Sequence, residues 1–574
     1  MAARLTTFVV VAIVAATLIA GLIVGAQRDD SEGPVDLIVH NAIVYTADED
    51  GTMAEAVAVR GNQILRVGDE REILRLRRPQ TTVIDARGAA VLPGFNDAHV
   101  HLITGGLNLD KVDLQGALTL EDVQQRIGAW AGANPDSAWV VGRGWRYDLF
   151  PAGLPTRQML DALVSDRPTH LIAHDGHAAW VNSAALKLAK IGRRTPNPVN
   201  GTIVRDAHGD PTGVLKGAAI ELVGRLAPQP TREDRARALR AAIAEAHKHG
   251  VTSVHDTDGS PEEFELYVDA RKTGDLRLRV YSALTLGTAF SDGDRARLAQ
   301  AATLYPDDPL FKSGAVKLRI DGTIPTQTAA LLEPYANREA AGEPLIAPDD
   351  LNRMVRLIDR EGWQVMAHAV GDRAVRMGLD AFEHAARSNP APERGRRHRI
   401  EHVETTASSD LPRFGSLGVI ASLQPLAGSP RESWLDARAR NLGAERASSG
   451  WPYRSIAAAA GRLAFGSDWP SAPLDPLPAL YAAVTRRTAD GLPEGGWVFS
   501  ERLQLSDAID AYTRGAAWAS FDEQRKGSIE PGMLADLVVL SENIFDSTEA
   551  LANARVAYTI FDGRVVYSIE RGTN

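Results

Sequence analysis

Two histidines near the start of the sequence have the spacing of a metal-binding pair. His99 and His101 lie two residues apart in an apolar run. On a β-strand, residues two apart point to the same face, so both imidazoles could bind one ion, although two hydrogen-bonded structural histidines would have the same spacing. His247 and His249 repeat that spacing at the end of a predicted helix, where residues two apart do not share a face. We therefore predict metal binding by the first pair only.

Three further residues able to bind a metal ion each end a different apolar run: His368, His402 and Asp468. Each alone is as compatible with a structural hydrogen bond as with a metal ligand. Together with His99 and His101, they supply the nitrogen and oxygen donors that zinc sites use. The joint pattern favours one metal site over five unrelated hydrogen bonds.

Lys317 lies within an apolar run that predicts a buried strand, where an unpaired ammonium group is costly. Burial lowers the pKa of a lysine, and the neutral amine can react with carbon dioxide to form a carbamate, whose oxygens could bridge two cations. Alternatively, Lys317 is a buried lysine paired with Asp321 or Glu401. Under the carbamate hypothesis, the four histidines, the carbamate and Asp468 complete the ligands of two zinc ions.

Eight strands are expected to position these residues. Apolar strand-like runs alternate with helix-like stretches, which predicts an α/β fold with parallel strands. The strand-like runs lie at 91–101, 251–256, 278–284, 315–321, 364–369, 399–403, 419–424 and 463–468. Eight is the number that closes a (β/α)8 TIM barrel, and barrel enzymes place their active sites at the carboxyl ends of the strands. The candidate ligands lie at or near those ends.

The rest of the sequence predicts two additions to this barrel, which itself is expected over 92–524. The stretch at about 105–249 is too long for one crossover connection, and we interpret it as an insertion after the first strand. Residues 35–91 and 525–570 contain short runs of alternating apolar and polar residues between glycines. This texture at both chain ends predicts one small composite β-sandwich domain.

The N-terminal segment, residues 1–30, has the composition of a membrane-targeting sequence. An uncharged, mostly apolar run covers 5–27, between Arg4 and Arg28. A bilayer span needs about 20 apolar residues, so the run is long enough for an anchor, although residues 24–26 also resemble a signal-peptide cleavage site. We favour the anchor. With Arg4 on the cytoplasmic side, the body of the protein is expected outside the cytoplasm, tethered to the membrane or released after cleavage.

Composition narrows the functional classes. The 574-residue chain has a net charge of −10 and scattered Lys and Arg, which does not suggest a nucleic-acid partner. The sequence has no cysteine, which excludes disulfides, thiolate catalysis and cysteine-based zinc sites. It also lacks a serine-hydrolase elbow, a phosphate-binding loop and a dinucleotide-binding glycine motif. A small-molecule substrate is expected, and a homodimer is one assembly compatible with the sequence.

An ordered series of motifs resembles the amidohydrolase superfamily, and within it amidohydrolase family 3, which includes the YtcJ-like proteins and N-substituted formamide deformylase. The motifs extend over almost all of the sequence after residue 35: LPGFNDAHVH at 92–101, DGHAAWVNS at 175–183, GVTSVHD at 250–256, KLRIDGT at 317–323, IEHVE at 400–404, GSDWP at 466–470 and GSIEPGMLAD at 527–536. The resemblance implies a composite β-sandwich and the following metal ligands: His99, His101, carbamylated Lys317, His368, His402 and Asp468.

The donor set and the resemblance together predict a metal-dependent hydrolase of carbon–nitrogen bonds other than peptide bonds, acting on an amide, a formamide or a cyclic amide. As a hypothesis, a hydroxide bridging two metals attacks the carbonyl, with Lys317 and Asp468 as catalytic residues and Asp468 as the general base and acid. His177, Gln424 and Asp321 are candidate substrate contacts, and each is equally compatible with a structural hydrogen bond. An ester or lactone hydrolase, or a tethered metal-binding module without catalysis, are the alternatives.

Overall fold

The computed structural model describes residues 34–150, 153–173, 176, 178–199, 201–304, 307–427, 438–569 and 572–573. The predicted N-terminal anchor and the candidate substrate contact His177 lie outside these residues, so both stay predictions. Within the described part of the chain, no helix is both long enough and apolar enough to cross a membrane.

Short strands rich in Val, Ile and Ala form the first part of the described chain, since these runs bury one or both faces. They are β1 (Leu37–His40), β2 (Ile43–Tyr45), β3 (Met53–Ala54), β4 (Ala56–Arg60), β5 (Gln63–Gly68), β6 (Thr82–Asp85) and β7 (Ala90–Pro93), with helix α1 (Glu70–Leu74) between β5 and β6. Four of them make a sheet with the order β5-β4-β1-β6.

The predicted first barrel strand, at 91–101, is in fact two strands, and that prediction is wrong. β7 ends at Pro93 and belongs to another sheet, whereas the first barrel strand is β8 (Phe95–Val100). Gly94 separates them, where a Cβ atom would lie 2.3 Å from Oγ1 of Thr252. Only glycine allows this close approach between the backbone and the neighbouring strand. The apolar run continues through both strands, so the pattern alone does not reveal the break.

A second, separate sheet follows β8 and helix α2 (Leu102–Leu109). Its strands are β9 (Val112–Asp113), β10 (Val140–Trp145), β11 (Thr169–Ala173), β12 (Ala178–Val181), β13 (Gly201–Arg205) and β14 (Pro211–Gly217), in the order β13-β14-β12-β11-β10-β9. Helices α3 (Leu120–Ala133), α4 (Arg157–Asp161) and α5 (Ser183–Leu188) lie between these strands, and α6 (Glu221–Gly224) follows the last of them. Two apolar clusters, one containing Trp145 and Trp180 and the other Ala179 and Leu215, give this insertion its own core.

Seven more strands complete a parallel sheet of eight: β15 (Val251–Gly259), β16 (Arg279–Thr285), β17 (Phe311–Arg319), β18 (Gln364–Ala369), β19 (Arg399–His402), β20 (Ile420–Leu423) and β21 (Arg462–Phe465). The strands from β8 and β15 to β21 are neighbours in sequence order, and every pair is parallel. The segment after β21 returns to β8 through two hydrogen bonds of 2.8 Å, from the Asp468 amide to the His99 carbonyl and from the His101 amide to the Trp469 carbonyl. The sheet is a nearly closed barrel of the predicted TIM type.

Helices alternate with the barrel strands, as the βα pattern predicts: α7 (Arg232–Lys248), α8 (Pro261–Thr273), α9 (Asp292–Leu304), α10 (Pro348–Arg360), α11 (Asp372–Ser388), α12 (Leu411–Leu417), α13 (Ala444–Ala447), α14 (Tyr453–Ala458), α15 (Pro476–Thr485), α16 (Leu505–Tyr512) and α17 (Arg514–Ala519). Capping boxes begin α7 and α8, formed by Thr231 with Asp234 and by Ser260 with Glu263. Such boxes satisfy the free amides of the first helical turn.

The last elements are β22 (Leu537–Leu540), α18 (Thr548–Asn553), β23 (Val556–Phe561), β24 (Arg564–Ser568) and β25 (Gly572–Thr573). They form a seven-stranded sheet with N-terminal strands, in the order β25-β24-β23-β22-β7-β2-β3. The two chain ends meet where Val91 of β7 lies opposite Val539 of β22. An apolar core that includes Val39, Val59 and Ile560 lies between this sheet and the four-stranded one.

Candidate metal centre

The carboxyl ends of the barrel strands bring three of the predicted ligands into direct contact. His99 lies near the end of β8, His101 directly follows that strand, and Asp468 lies three residues after β21. Oδ1 of Asp468 is 3.4 Å from Nε2 of His99 and 3.2 Å from Nε2 of His101. One ligand atom from each of the three lies within 4.8 Å of the other two, close enough to share one cation.

The other three predicted ligands continue this cluster. Nζ of Lys317, on β17, lies 3.3 Å from Nε2 of His99. The ring of His402, at the end of β19, has its centroid 4.8 Å from that of His99 and 4.4 Å from that of His368 on β18. All six side chains predicted from sequence therefore form one continuous cluster at the same end of the barrel.

The backbone at two of these positions adopts an unfavourable conformation. His402 and Asp468 have φ values of 77° and 59°, in the left-handed region that residues with a Cβ atom rarely occupy. Each such residue costs about 1–3 kcal/mol and persists only where its surroundings impose it. Around Asp468 the restraint includes Asp97, whose carboxylate accepts hydrogen bonds of 3.0 Å from the backbone amides of His99 and Ser467. This carboxylate ties β8 to the turn that carries Asp468.

A buried carboxylate orients His99. Nδ1–H of His99 donates a 2.7 Å hydrogen bond to Glu401, whose two oxygens also accept 2.8 and 2.9 Å bonds from Arg399. Burial alone would raise the pKa of Glu401, but the charge of Arg399 and the His99 contact outweigh burial and hold the pKa well below its usual range. Since Nδ1 is engaged, Nε2 of His99 is the nitrogen left to coordinate a metal.

Three of the four histidines, His99, His368 and His402, have lowered pKa values that suit coordination. Burial and the nearby Lys317 lower the pKa of His99 to about 3, and burial is also the main cause that lowers the pKa values of His368, His402 and Lys317. His101 differs: burial lowers its pKa, but contacts with Asp258 and Asp468 raise it to about 9. The two carboxylates that stabilise protonated His101 would also stabilise a metal cation bound in its place. Neutral imidazoles and a carboxylate form a donor set that fits a divalent metal ion.

The candidate substrate contacts Gln424 and Asp321 are buried and form hydrogen bonds within the protein. Oε1 of Gln424 accepts a 2.8 Å hydrogen bond from Nδ1–H of His402, so Gln424 orients this ring in the way that Glu401 orients His99. The Asp321 carboxylate accepts hydrogen bonds from the backbone amides of Ala330, Val370 and Gly371, and burial raises its pKa to about 7. No hydrogen bond or ion pair joins Asp321 to Lys317 among the described residues.

Sequence reasoning passed over Glu401 and Asp258 as parts of the centre. Glu401 was considered only as a partner of Lys317, although a charged residue between Ile400 and His402 on a buried strand already indicates an inward-facing ion pair. Asp258, which lies 3.6 Å from Nδ1 of His101, is on a part of β15 that extends beyond the predicted strand. Nothing in the sequence around Asp258 indicates that it contacts His101.

The other histidine pair behaves as its helical position predicts. His247 lies in α7, where Nε2–H donates to the carbonyl of Arg277 at 2.6 Å. His249 follows the helix and contacts Glu245 at 3.0 Å. The two rings have different partners and do not belong to the cluster of six candidate ligands.

Comparisons with known proteins identify the family of this chain. The sequence model of the amidohydrolase family matches residues 82–567. The putative amidohydrolase YtcJ of Bacillus subtilis (strain 168) is 31% identical over 540 residues, covering 92% of this chain and 99% of that protein. The N-substituted formamide deformylase of Arthrobacter pascens is 30% identical over 545 residues, covering 93% and 98%.

Structural comparison gives the same result. The crystal structure of an uncharacterized metal-dependent hydrolase from Pyrococcus furiosus superposes with a TM-score of 0.68 at 25% sequence identity, covering 87% of this chain and 97% of that one. The motif-based expectation is therefore confirmed by sequence and by fold. The chain belongs to the amidohydrolase family, in the branch called amidohydrolase family 3.

Proposed function

We propose that this chain is a metal-dependent amidohydrolase that hydrolyses a carbon–nitrogen bond in a non-peptide amide, a formamide or a cyclic amide. The observation that carries the proposal is the convergence of the six side chains at one end of the barrel, with Asp468 in contact with both His99 and His101. The name of the Arthrobacter pascens deformylase supports hydrolysis of a carbon–nitrogen bond, and that of the Pyrococcus furiosus protein supports metal-dependent hydrolysis.

The six side chains would hold two divalent cations, and zinc is the metal that best suits histidine and carboxylate donors. When bound, such cations lower the pKa of a water molecule and polarise a carbonyl oxygen. For Lys317 we propose a carbamate: Nζ bonds to the carbon of carbon dioxide and loses one proton, which yields an anion with two oxygen donors. The burial that lowers the pKa of Lys317 favours the neutral amine that this step needs.

Asp468 is proposed to move the proton. A bond forms between the water oxygen and the carbonyl carbon while the proton of that water passes to Oδ1 of Asp468; the proton then passes to the leaving nitrogen as the carbon–nitrogen bond breaks. Burial raises the pKa of Asp468, but the hydrogen bond from His101 and the neighbouring histidines outweigh this and hold its pKa below the usual range. The carboxylate is therefore ionised before the reaction and able to act as a base.

The direct test is the Asp468→Asn variant, assayed on a panel of formamides, simple amides and cyclic amides. We expect turnover to fall by at least about a thousandfold, since the amide cannot accept the proton. Asp308→Asn, which alters a carboxylate paired with Arg271 outside the centre, is the control and should retain wild-type turnover. Full activity of Asp468→Asn would refute the proposed role.

Esters and lactones matched to the amides in the panel distinguish the alternatives. The kcat/KM for an ester or lactone is compared with that for the matched amide. If the ratio exceeds the intrinsic difference in reactivity between the two substrates, the substrate class changes and the site stays the same. A purified protein that binds two metals yet cleaves no carbon–nitrogen or carbon–oxygen bond would favour a binding module.

The location of the protein outside the cytoplasm, tethered by residues 1–30, is also a proposal. It is supported by the uncharged run at 5–27 and the adjacent Arg4. Cell fractionation of the full chain and of a chain beginning at residue 31 tests it. Recovery of the full chain in the cytosolic fraction would contradict it.

A further inference from the structure

Arg319 is the last residue of β17 and lies on the same face of that strand as Lys317. Residues two apart on a strand point to the same side. Lys317 points into the barrel, where its Nζ contacts His99, whereas Val316 and Leu318 belong to the apolar core that the barrel shares with the surrounding helices. Arg319 is therefore the outermost side chain of the inward-facing row of β17, and it is exposed at the mouth of the barrel.

The strand register places Arg319 next to two candidate metal ligands. Arg319 is opposite His368 of the neighbouring parallel strand β18. Neighbouring strands lie about 4.8 Å apart and two residues span about 6.6 Å along a strand, so the backbone of Arg319 is one strand spacing from His368 and two residues from Lys317. The His368 ring also points inward, since its centroid lies 4.4 Å from that of His402. Arg319 therefore belongs to the rim of the metal centre.

The guanidinium of Arg319 is anchored at one nitrogen only. Its Nε–H donates a 3.2 Å hydrogen bond to the backbone carbonyl of Asp321, and no carboxylate of the described residues lies within ion-pair distance of it. The buried Asp321 carboxylate bonds three backbone amides instead. Asp258, the exposed acid on β15 two strands away, contacts His101 and Thr285. The two terminal nitrogens of Arg319 therefore remain available to a ligand at the mouth.

We propose that Arg319 binds a carboxylate of the substrate beside the metal centre, so that the substrate is an amide or formamide bearing a carboxylate near the bond that is cleaved. The inference rests on the proposed amidohydrolase function. The two terminal nitrogens of a guanidinium bind a carboxylate through parallel hydrogen bonds, which fixes both the position and the orientation of the substrate. The Nε anchor limits the side-chain freedom that Arg319 would lose on binding. N-acylated amino acids have this arrangement of groups.

The test compares N-formylglycine, N-formyl-β-alanine and N-formyl-4-aminobutyrate with their carboxamide counterparts, by release of formate. For at least one pair, the wild-type enzyme should have the higher kcat/KM on the carboxylate, and Arg319→Gln should reduce the ratio of the two kcat/KM values on the order of tenfold. Arg319→Lys keeps the charge but not the paired hydrogen bonds, so an intermediate ratio is expected. Arg394→Gln is the matched control, because Arg394 is also exposed and donates to backbone carbonyls, those of Gly314 and Gly362, but lies before the amino ends of the strands that carry the site. This control should keep the wild-type ratio.

Binding without turnover separates this inference from the proposed function. Glutarate and glutaramide are the probes, measured by calorimetry on the zinc-loaded wild-type protein and on zinc-loaded Arg319→Gln. Any direct contact of glutarate with the metals is common to both proteins, so the difference between them reports on Arg319. Stronger binding of glutarate that is lost in Arg319→Gln supports the inference even if no amide is hydrolysed. Equal binding of glutarate by the two proteins would overturn it.

A purely structural role for Arg319 predicts a different kinetic result. If the guanidinium only held the backbone carbonyl of Asp321, Arg319→Gln would lower kcat/KM by the same factor on the carboxylate and on its carboxamide counterpart. The ratio of the two values would then stay at the wild-type level in every pair. Such a retained ratio, or a wild-type enzyme that prefers no carboxylate of the panel, would overturn the inference.

Discussion

Glu401→Gln tests whether the buried carboxylate tunes the metal centre. The side chain of Glu401 is fully buried and bonds both Arg399 and His99. Glutamine preserves the volume and one carbonyl oxygen but removes the negative charge. Arg399 then keeps a buried positive charge without its counter-charge, and His99 loses the anionic acceptor that fixes its ring.

The contact geometry sets the size of the expected effects. Removing one partner of a buried ion pair costs about 3–5 kcal/mol of folding stability, and the retained carbonyl of the glutamine places this variant near the lower value. Loss of a carboxylate that orients a metal-bound histidine weakens metal affinity about 10- to 100-fold, or about 1.4–2.7 kcal/mol. We therefore expect both a less stable protein and weaker metal binding.

The assay is zinc competition against a chromophoric chelator, performed on metal-free protein, with urea unfolding measured in parallel. Glu523→Gln is the matched control, because Glu523 also bonds one arginine through two oxygens, at 2.7 and 2.8 Å from Arg397, but lies outside the centre. This control should lose stability and keep wild-type zinc affinity. If Glu401→Gln bound zinc as tightly as the wild-type protein, the orienting role of Glu401 would be refuted.

Three further changes have definite expected outcomes. Gln424→Leu removes the acceptor of His402 and should weaken zinc binding about tenfold in the same competition assay; unchanged affinity contradicts the orienting role. Gly105→Ala places a Cβ 2.1 Å from the ring of Trp469, so we expect about 1–3 kcal/mol lower stability in urea unfolding, and wild-type stability would contradict this packing. Burial lowers the pKa of Lys526 to about 8, so above that pH the unfolded state binds more protons than the folded state. The stability of the wild-type protein relative to Lys526→Met should therefore rise between pH 8 and about 10, by no more than about 1.4 kcal/mol per pH unit. A stability difference that stays flat or falls over this range contradicts the prediction.

The barrel and the clustering of the six candidate ligands were predictable because both are encoded locally. Each barrel strand is a short apolar run between polar segments, and the residue at its carboxyl end is visible in the sequence. The ends of β15 and β21 were exceptions, because β15 continues to Gly259 beyond the predicted 256 and β21 stops at Phe465 before the predicted 468. Ser467 and Asp468 belong to a turn with a positive φ that closes onto β8, and an apolar pattern does not encode this geometry.

The environment of the ligands was not predictable, because it depends on partners distant in the chain. Glu401 lies 302 residues from His99, and neither residue indicates the other. Gln424 was assigned to the substrate pocket from its position at a strand end, whereas its amide oxygen faces His402.

The proposed function depends on the binding of a pair of divalent cations by six side chains at the mouth of the barrel. Anomalous diffraction from crystals of the zinc-loaded protein, with data collected above and below the zinc edge, tests it most directly. We expect two anomalous peaks within coordination distance of His99, His101, His368, His402 and Asp468, with extra density bonded to Nζ of Lys317 between them. Anomalous peaks only elsewhere, or zinc-loaded crystals without a peak beside His99 and His101, would contradict it.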